Sequence, residues 1–331
     1  MIATATEMKA IVQDVYGSAD VLQLREIDKP EPKEGEVLLR VGAAGVEPGV
    51  WHLMMGRPYL VRAMGFGIRA PKVHGRGREV AGTVEAVGAN VTRFKVGDEV
   101  FGIADGSFAE YVCAREDKIA LKPEAVTFEQ AAVVPISGVT ALQGIRDAGK
   151  VTAGQQVLII GAGGGVGTFA VQIAKAFGAE VTGVCSTGKV ELVRSIGADH
   201  VIDYTREDFA QSGKRYDVIL DTGGRRPLSV LRKALSPKGT LVIVGGEGGG
   251  PVLGGFDRQI FRAPLLSLFT GQNLRPLVAK ESADDLVAMG KLMESGKVTS
   301  IIDRTFPLAS APEAIRYLAE GRARGKVVIA I

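Results

Sequence analysis

The run Val157-Leu158-Ile159-Ile160-Gly161-Ala162-Gly163-Gly164-Gly165-Val166-Gly167, continued by Thr168 to Ala179, leaves this chain few folds to choose from. A short β-branched apolar run stops at glycines and gives way to apolar residues at helical spacing: Val166, Phe169, Ala170, Ile173 and Phe177. The pattern predicts a strand, a tight turn and a helix. Glycine suits that turn because it needs φ values a Cβ forbids and brings the backbone close to a phosphate. A helix opening near Gly165 aims unpaired N–H groups and the positive end of its dipole at that anion. Read as Gly161-x-x-Gly164-x-x-Gly167 or Ala162-x-Gly164-x-x-Gly167, the glycines approximate the dinucleotide fingerprint G-x-G-x-x-G. The plain alternative is a glycine-rich helix start packed closely on a sheet, and the segments that follow weigh against it.

Glu180 to Cys185 reads as a second strand, whose end is where a dinucleotide site meets the adenosine ribose. A site for NAD places a carboxylate there, about 20 residues past the glycines, to bond the 2′-hydroxyl. Here Ser186, Thr187, Gly188 and Lys189 follow the strand, with hydroxyls and a cation but no carboxylate. That set suits a 2′-phosphate through charge-assisted hydrogen bonds, so NADPH (NADP+) is expected over NADH. The bland reading of Lys189 is a solvated lysine in the first turn of the next helix.

With 331 residues, 46% of them apolar, and a net charge of +3, the chain has length for about two globular domains and too little charge to suggest nucleic acid as a partner. Its two cysteines, Cys113 and Cys185, exclude a disulfide framework and a cysteine-rich zinc lobe, and both fall in apolar runs as small buried hydrophobes do. No apolar run reaches transmembrane length and Met1 to Met8 lacks a signal-peptide core, so a cytoplasmic protein without a membrane partner is expected.

From Lys9 to about Leu121 short strands alternate with turns, including Glu36–Val41, Glu79–Val87 and Phe108–Val112, in the manner of a small bent β-barrel. Thr127-Phe-Glu-Gln130 is a capping box that opens a helix running to about Ala148, which Pro135 should kink. Beyond the second strand, His200–Tyr204, Asp217–Thr222 and Thr240–Gly246 are further apolar strands separated by helical segments. That alternation specifies parallel βαβ units in a doubly wound sheet, which binds ligands at the carboxyl ends of its strands. Ser186, Tyr204, Thr222 and Gly245 sit at those ends. The loop Gly245 to Pro251 is assigned to the nicotinamide end of the cofactor or to a lid, with a surface loop as the alternative. The tail predicts a helix over 283–294, a strand over 301–306, a helix over 311–319 and a strand over 326–331, able to close either domain.

Together Val96-Gly97-Asp98-Glu99-Val100, Ile136-Ser-Gly-Val-Thr-Ala141 and Gly164-Gly-Val-Gly167, in that order, resemble the medium-chain dehydrogenase/reductases, and more narrowly their zinc-independent quinone oxidoreductase branch, over Met8 to Ile331. The resemblance implies an α/β fold: a GroES-like β-rich catalytic domain begun by residues 1–126 and completed by 280–331, with a Rossmann NADP-binding domain over 127–279 and the active site in the cleft. It also implies that Ser186, Lys189 and Tyr204 bind the 2′-phosphate, that Arg322 adds to them, and that Thr140, Gly164, Gly165, Val166, Thr222 and Gly245 line the cofactor. A homodimer is expected from the family, joined near Asn273–Leu277.

The zinc alcohol dehydrogenases of this superfamily carry Cys, His and Cys where this chain has Glu47, Arg78 and Ile136. Catalytic zinc needs three N, S or O ligands around an open position, and a guanidinium and an isoleucine cannot serve, so no metal is expected. His52 matches the proton-relay histidine of those enzymes, but Gly49 replaces the hydroxyl that links it to substrate. Without zinc, hydride delivery to a quinone or an α,β-unsaturated carbonyl is favoured, because the charge spreads into an enolate or hydroquinone anion. The small-molecule substrate is therefore expected to be a conjugated carbonyl or quinone. Glu47 and Val50 replace an Asn and an Asp usual in the first active-site loop of that branch, leaving Tyr59, His52 and Glu47 as weak candidates for the proton donor. Glu47, Trp51 and Tyr59 are assigned to the substrate pocket, where Trp51 and Tyr59 could stack on a flat substrate; core packing is the rival role for Trp51. Gly56 to Arg69 reads as a lid. Two other readings stay open, a metal-free alcohol or aldehyde dehydrogenase and a non-catalytic NADPH-binding protein.

Overall fold

The structure, a computed structural model, describes residues 6–246, 252–255 and 262–331. The elements begin with β1 (Glu7–Val12), β2 (Gln23–Asp28), β3 (Glu36–Val46), α1 (Pro48–Met55), β4 (Glu79–Val87), β5 (Glu99–Ile103), β6 (Tyr111–Arg115), β7 (Ile119–Leu121) and α2 (Phe128–Ala132). The middle holds α3 (Ser137–Gln143), β8 (Gln156–Ile160), α4 (Gly165–Ala176), β9 (Glu180–Cys185), α5 (Val190–Ser195), β10 (His200–Asp203), β11 (Tyr216–Asp221), α6 (Leu228–Ala234), β12 (Leu235–Ile243), α7 (Ala263–Leu268) and β13 (Asn273–Pro276). Then come α8 (Ala283–Glu294), β14 (Ile302–Pro307), α9 (Ala311–Ala319) and β15 (Lys326–Ala330). They form two compact units, one of Met1–Ile136, Glu281–Ser295 and Ile302–Ile331, the other of Ser137–Lys280 and Gly296–Ile301.

The first unit is built on a sheet of order β14-β15-β3-β4-β5-β7, with β6 also on β3. β3 is long enough to take two partners along one edge: its first half, Glu36 to Arg40, pairs with β6, and Ala43 to Val46 pair with β15. One buried cluster joins Ile11, Val46, Val50 and Met54 to Ala314, Ile315, Val327 and Ile329, so residues from the two ends of the chain share a core.

The second unit carries a parallel sheet of order β10-β9-β8-β11-β12-β13, all strands running the same way. Numbered from β8, that order is the doubly wound 3-2-1-4-5-6, and the glycine turn follows its first strand. Leu158, Ile219, Leu241 and Leu274 of its strands share one buried apolar cluster with Leu231 of α6.

Two departures from expectation have local causes. The single kinked helix over 131–148 is two: α2 ends at Ala132, and α3 begins only after Pro135, which has no N–H to give and crowds the preceding turn. Gly144–Ala148 then continue as a π-helical turn. A strand expected over Val21–Leu24 begins only at Gln23, because residues 19–21 form a 3₁₀ turn capped by the Ser18 side chain. Among the described residues, no helix is long and apolar enough to cross a membrane.

Candidate functional site

In the second unit the parallel strands end in register. Ile160 lies opposite Val184 and Asp221, Cys185 opposite Asp203, and Asp221 opposite Ile243. Ser186, Tyr204, Thr222 and Gly245, each just beyond its strand, therefore line the carboxyl edge of the sheet together with the glycine turn. Thr222 Oγ1 donates to the Ile160 carbonyl at 2.8 Å, and the N–H groups of Gly161 and Ala162 both reach the Val184 carbonyl at 3.0 Å. Gly161 takes a φ of +83°, and a Cβ on Gly167 would lie 2.7 Å from Ala162 Cα and run into the Gly161 carbonyl. Helix α4 is capped by Gly164, which has no side chain to satisfy the first N–H groups, so those of Gly165 and Val166 remain available to an anion. Lys189 crosses the turn so closely that a Cβ on Gly163 would sit 2.8 Å from its Cβ and Cδ. The bare cap and the glycine cradle fit the phosphates of a dinucleotide.

The neighbouring residues are more varied. Ser186 is half-buried, and Tyr204 is exposed. Thr140 is buried in α3, which packs on α4. Of the loop over 245–251, Gly245 follows β12, its N–H bonded to the Asp221 carbonyl at 3.1 Å, while residues 247–251 lie outside the described residues. Thr187 departs from its expected part. Its hydroxyl donates to Asp203 Oδ2 at 2.6 Å, and that of Thr205 to Oδ1 at 2.7 Å, which together hold the Asp203 carboxyl below its usual range. Thr187 thus serves the turn that presents Ser186 and Lys189. Asp203 escaped the sequence reading because it ends the third strand, past the position where an NAD-type carboxylate is sought.

In the first unit Glu47 caps α1, its carboxylate accepting the N–H groups of Gly49 and Val50. Burial pushes that carboxyl up and the nearby Glu79 adds to the shift, against Lys326, the Gly49 N–H and Arg78. Arg78 donates to Asp105 at 3.1 Å and to Glu281, whose second oxygen also meets Lys118 at 2.5 Å. The Ile136 N–H donates to Glu79 Oε1 at 2.8 Å. The three positions matched to zinc ligands therefore hold a helix cap, an ion-paired guanidinium and an isoleucine. Among the described residues, no three His, Cys, Asp or Glu side chains converge as metal ligands.

Helix α1 also carries Trp51 and His52, edge to face with ring centroids 5.0 Å apart. Trp51 packs partly buried against the shared core of this unit, the rival role it was given. His52 Nδ1 donates to the Arg57 carbonyl at 2.9 Å. Tyr59 is 42% exposed, with the guanidinium carbons of Arg57 and Arg62 at 5.8 and 5.0 Å from its ring centre. The segment over 56–69 is tied down by the Tyr16 hydroxyl, which donates to the Gly67 carbonyl at 2.6 Å, and by Arg62 stacked 4.2 Å from the Tyr16 ring. Arg322 pairs with Glu320 beside the Tyr317 ring.

A solvent-open pocket lies in this unit, with Val50, Leu53 and Phe66 among its apolar lining and Arg76, Arg78 and Asp105 its charged residues. Arg76 carried no sequence signal, since it sits between Gly75 and Gly77 outside any motif. It is 6% exposed, and burial pulls its guanidinium down against the opposing fields of Tyr16 and Asp105.

Two family models match the chain: the alcohol dehydrogenase GroES-like domain over residues 33–124 and the zinc-binding dehydrogenase over 196–329. The chain is 35% identical to 2-methylene-furan-3-one reductase of Solanum lycopersicum, over 99% of this chain and 80% of that protein. It is also 35% identical to a chloroplastic NADPH-dependent alkenal/one oxidoreductase of Arabidopsis thaliana, over 98% and 79%. The structure of the quinone oxidoreductase from Coxiella burnetii superposes with a TM-score of 0.84 at 30% identity, covering 98% of this chain and 99% of that one. A GroES-like unit built from both ends of the chain, a 3-2-1-4-5-6 sheet with its glycine turn, and these likenesses agree: the chain belongs to the medium-chain dehydrogenase/reductases, in their quinone oxidoreductase-like branch.

Proposed function

We propose that this protein is an NADPH-dependent oxidoreductase that reduces quinones or α,β-unsaturated carbonyl compounds without zinc. The observation that carries the reading is the fate of the three zinc-ligand positions: Glu47 is spent on capping α1, Arg78 on Asp105 and Glu281, and Ile136 offers only its N–H, which goes to Glu79. A cation placed there would meet the Arg78 charge and lack the donors it requires. Conjugated acceptors need no such ion, because the negative charge that develops on them is delocalised.

When bound, NADPH supplies the hydride. In this reading the second unit is the cofactor domain and the first, completed by the C-terminal segments, the catalytic one. The N–H groups at the start of α4 hold the pyrophosphate, Ser186 and Lys189 take the 2′-phosphate with Tyr204 beside them, and Thr140, Thr222 and Gly245 line the rest. Glu47, whose carboxyl burial pushes above its ordinary range, stands with His52 and Tyr59 as a candidate to hand a proton to the product. Buried Cys185 and half-buried Cys113, neither in a disulfide, accord with a cytoplasmic setting, their thiols pushed up to about 11 by burial. The outer edge of β13, flanked by the exposed Leu265, Leu268, Phe269 and Val278, suits a homodimer formed edge to edge.

The test is oxidation of NADPH against an ortho-quinone, a para-quinone, an enone, an alkenal and a saturated aldehyde. Turnover confined to the conjugated acceptors supports the reading. Turnover of the saturated aldehyde alone moves it to a metal-free aldehyde reductase, and silence with NADPH still bound moves it to a binding protein.

A further inference from the structure

The cavity of the first unit contains a charge that the fold does not use. Arg76 is 6% exposed, its Nη2 donates to the Val73 carbonyl, and its Nε has no protein acceptor. It makes no ion pair among the described residues; Asp105, the carboxylate lining the same cavity, is 64% exposed and bonded to Arg78. A guanidinium withdrawn from water without a counter-ion is a net cost to folding. Its planar, always-charged fork is suited to a carboxylate, and the wall beside it, formed by Val50, Leu53 and Phe66, is apolar.

We infer that this cavity binds the carboxylate of an acidic substrate through Arg76, with the apolar body of the molecule against Val50, Leu53 and Phe66. Resting on the proposed reduction of conjugated carbonyls, this narrows the substrate class to enones or quinones that carry a carboxylic acid. The acid is recognised as its anion, and the pairing replaces the hydration that Arg76 has lost on burial.

The experiment compares 4-oxo-4-phenylbut-2-enoic acid with its methyl ester as acceptors, in the wild type, Arg76→Met and Arg76→Lys, together with calorimetric binding of the saturated acid 4-oxo-4-phenylbutanoate. The wild type is expected to prefer the acid in kcat/KM by about 10- to 100-fold, the scale of a hydrogen bond to a charged group. Arg76→Met should bring the ratio near one and abolish binding of the saturated acid, and Arg76→Lys should restore part of both. The melting temperature of Arg76→Met should equal or exceed that of the wild type, which separates a binding role from a structural one. Equal turnover of acid and ester by the wild type overturns the carboxylate site while leaving the reductase reading intact. Arg76-dependent binding of the saturated acid, without reduction of either acceptor, supports the carboxylate site and overturns the reductase reading instead.

Discussion

Lys326 Nζ lies 2.6 Å from Glu79 Oε2, and both side chains are sealed from solvent at 2% and 0% exposure. Lys326 opens β15 and Glu79 opens β4, so this ion pair ties the C-terminal segment into the sheet begun by the N-terminal one. Breaking one half leaves a buried charge alone. Lys326→Met is expected to destabilise the first unit by about 3 to 5 kcal/mol, with the double variant Glu79→Gln, Lys326→Met recovering most of the loss. Trp51, the single tryptophan, packs on that unit's core, and its fluorescence in a denaturant titration provides the measurement. A double variant no more stable than Lys326→Met would show that the pair acts through something other than charge.

Lys189→Ala should weaken NADPH far more than NADH, by about 1 to 3 kcal/mol for a lost charged hydrogen bond. The KM values for the two cofactors give the answer directly. Equal effects on both would place Lys189 away from the 2′-phosphate.

Chelators should leave turnover unchanged, and metal analysis of the purified protein should find far less than one zinc per chain. Stoichiometric zinc would mean that Glu47 leaves its cap and Arg78 its carboxylates to admit the ion.

The Glu47 carboxyl is raised above its ordinary value of 4.5, chiefly by burial, so its contribution to stability is full below that pH and declines as the pH climbs through the folded-state value. Relative to Glu47→Gln, which does not titrate, the wild type should therefore lose stability from pH 4.5 upward. Thermal unfolding of the two proteins across that range supplies the difference, and a constant difference would refute the assignment.

The second unit was legible because local rules and tertiary structure agree there: the glycine turn, the β-branched strands and the helix start at Gly165 require only near neighbours in sequence. The helices over 283–294 and 311–319 were legible for the same reason. The first unit was not readable to that depth. Glu47 looked like a free acid in an active-site loop, and only the folded chain shows two N–H groups closing on it. Thr187 looked like a phosphate ligand until β10 brought Asp203 beside it. Arg76 could not be singled out at all, because what distinguishes it is burial without an acceptor, a property set by the residues folded around it.

The division of β3 between β6 and β15 bears on how the protein is made. A ribosome delivers Ala43 to Val46 early and their partners Ala330 to Val327 only after every strand of the parallel sheet has emerged. The middle of the chain can therefore mature first, while one edge of β3 waits with its backbone groups unpaired. Nascent chains stalled before β15 should accordingly be the ones that chaperones hold longest.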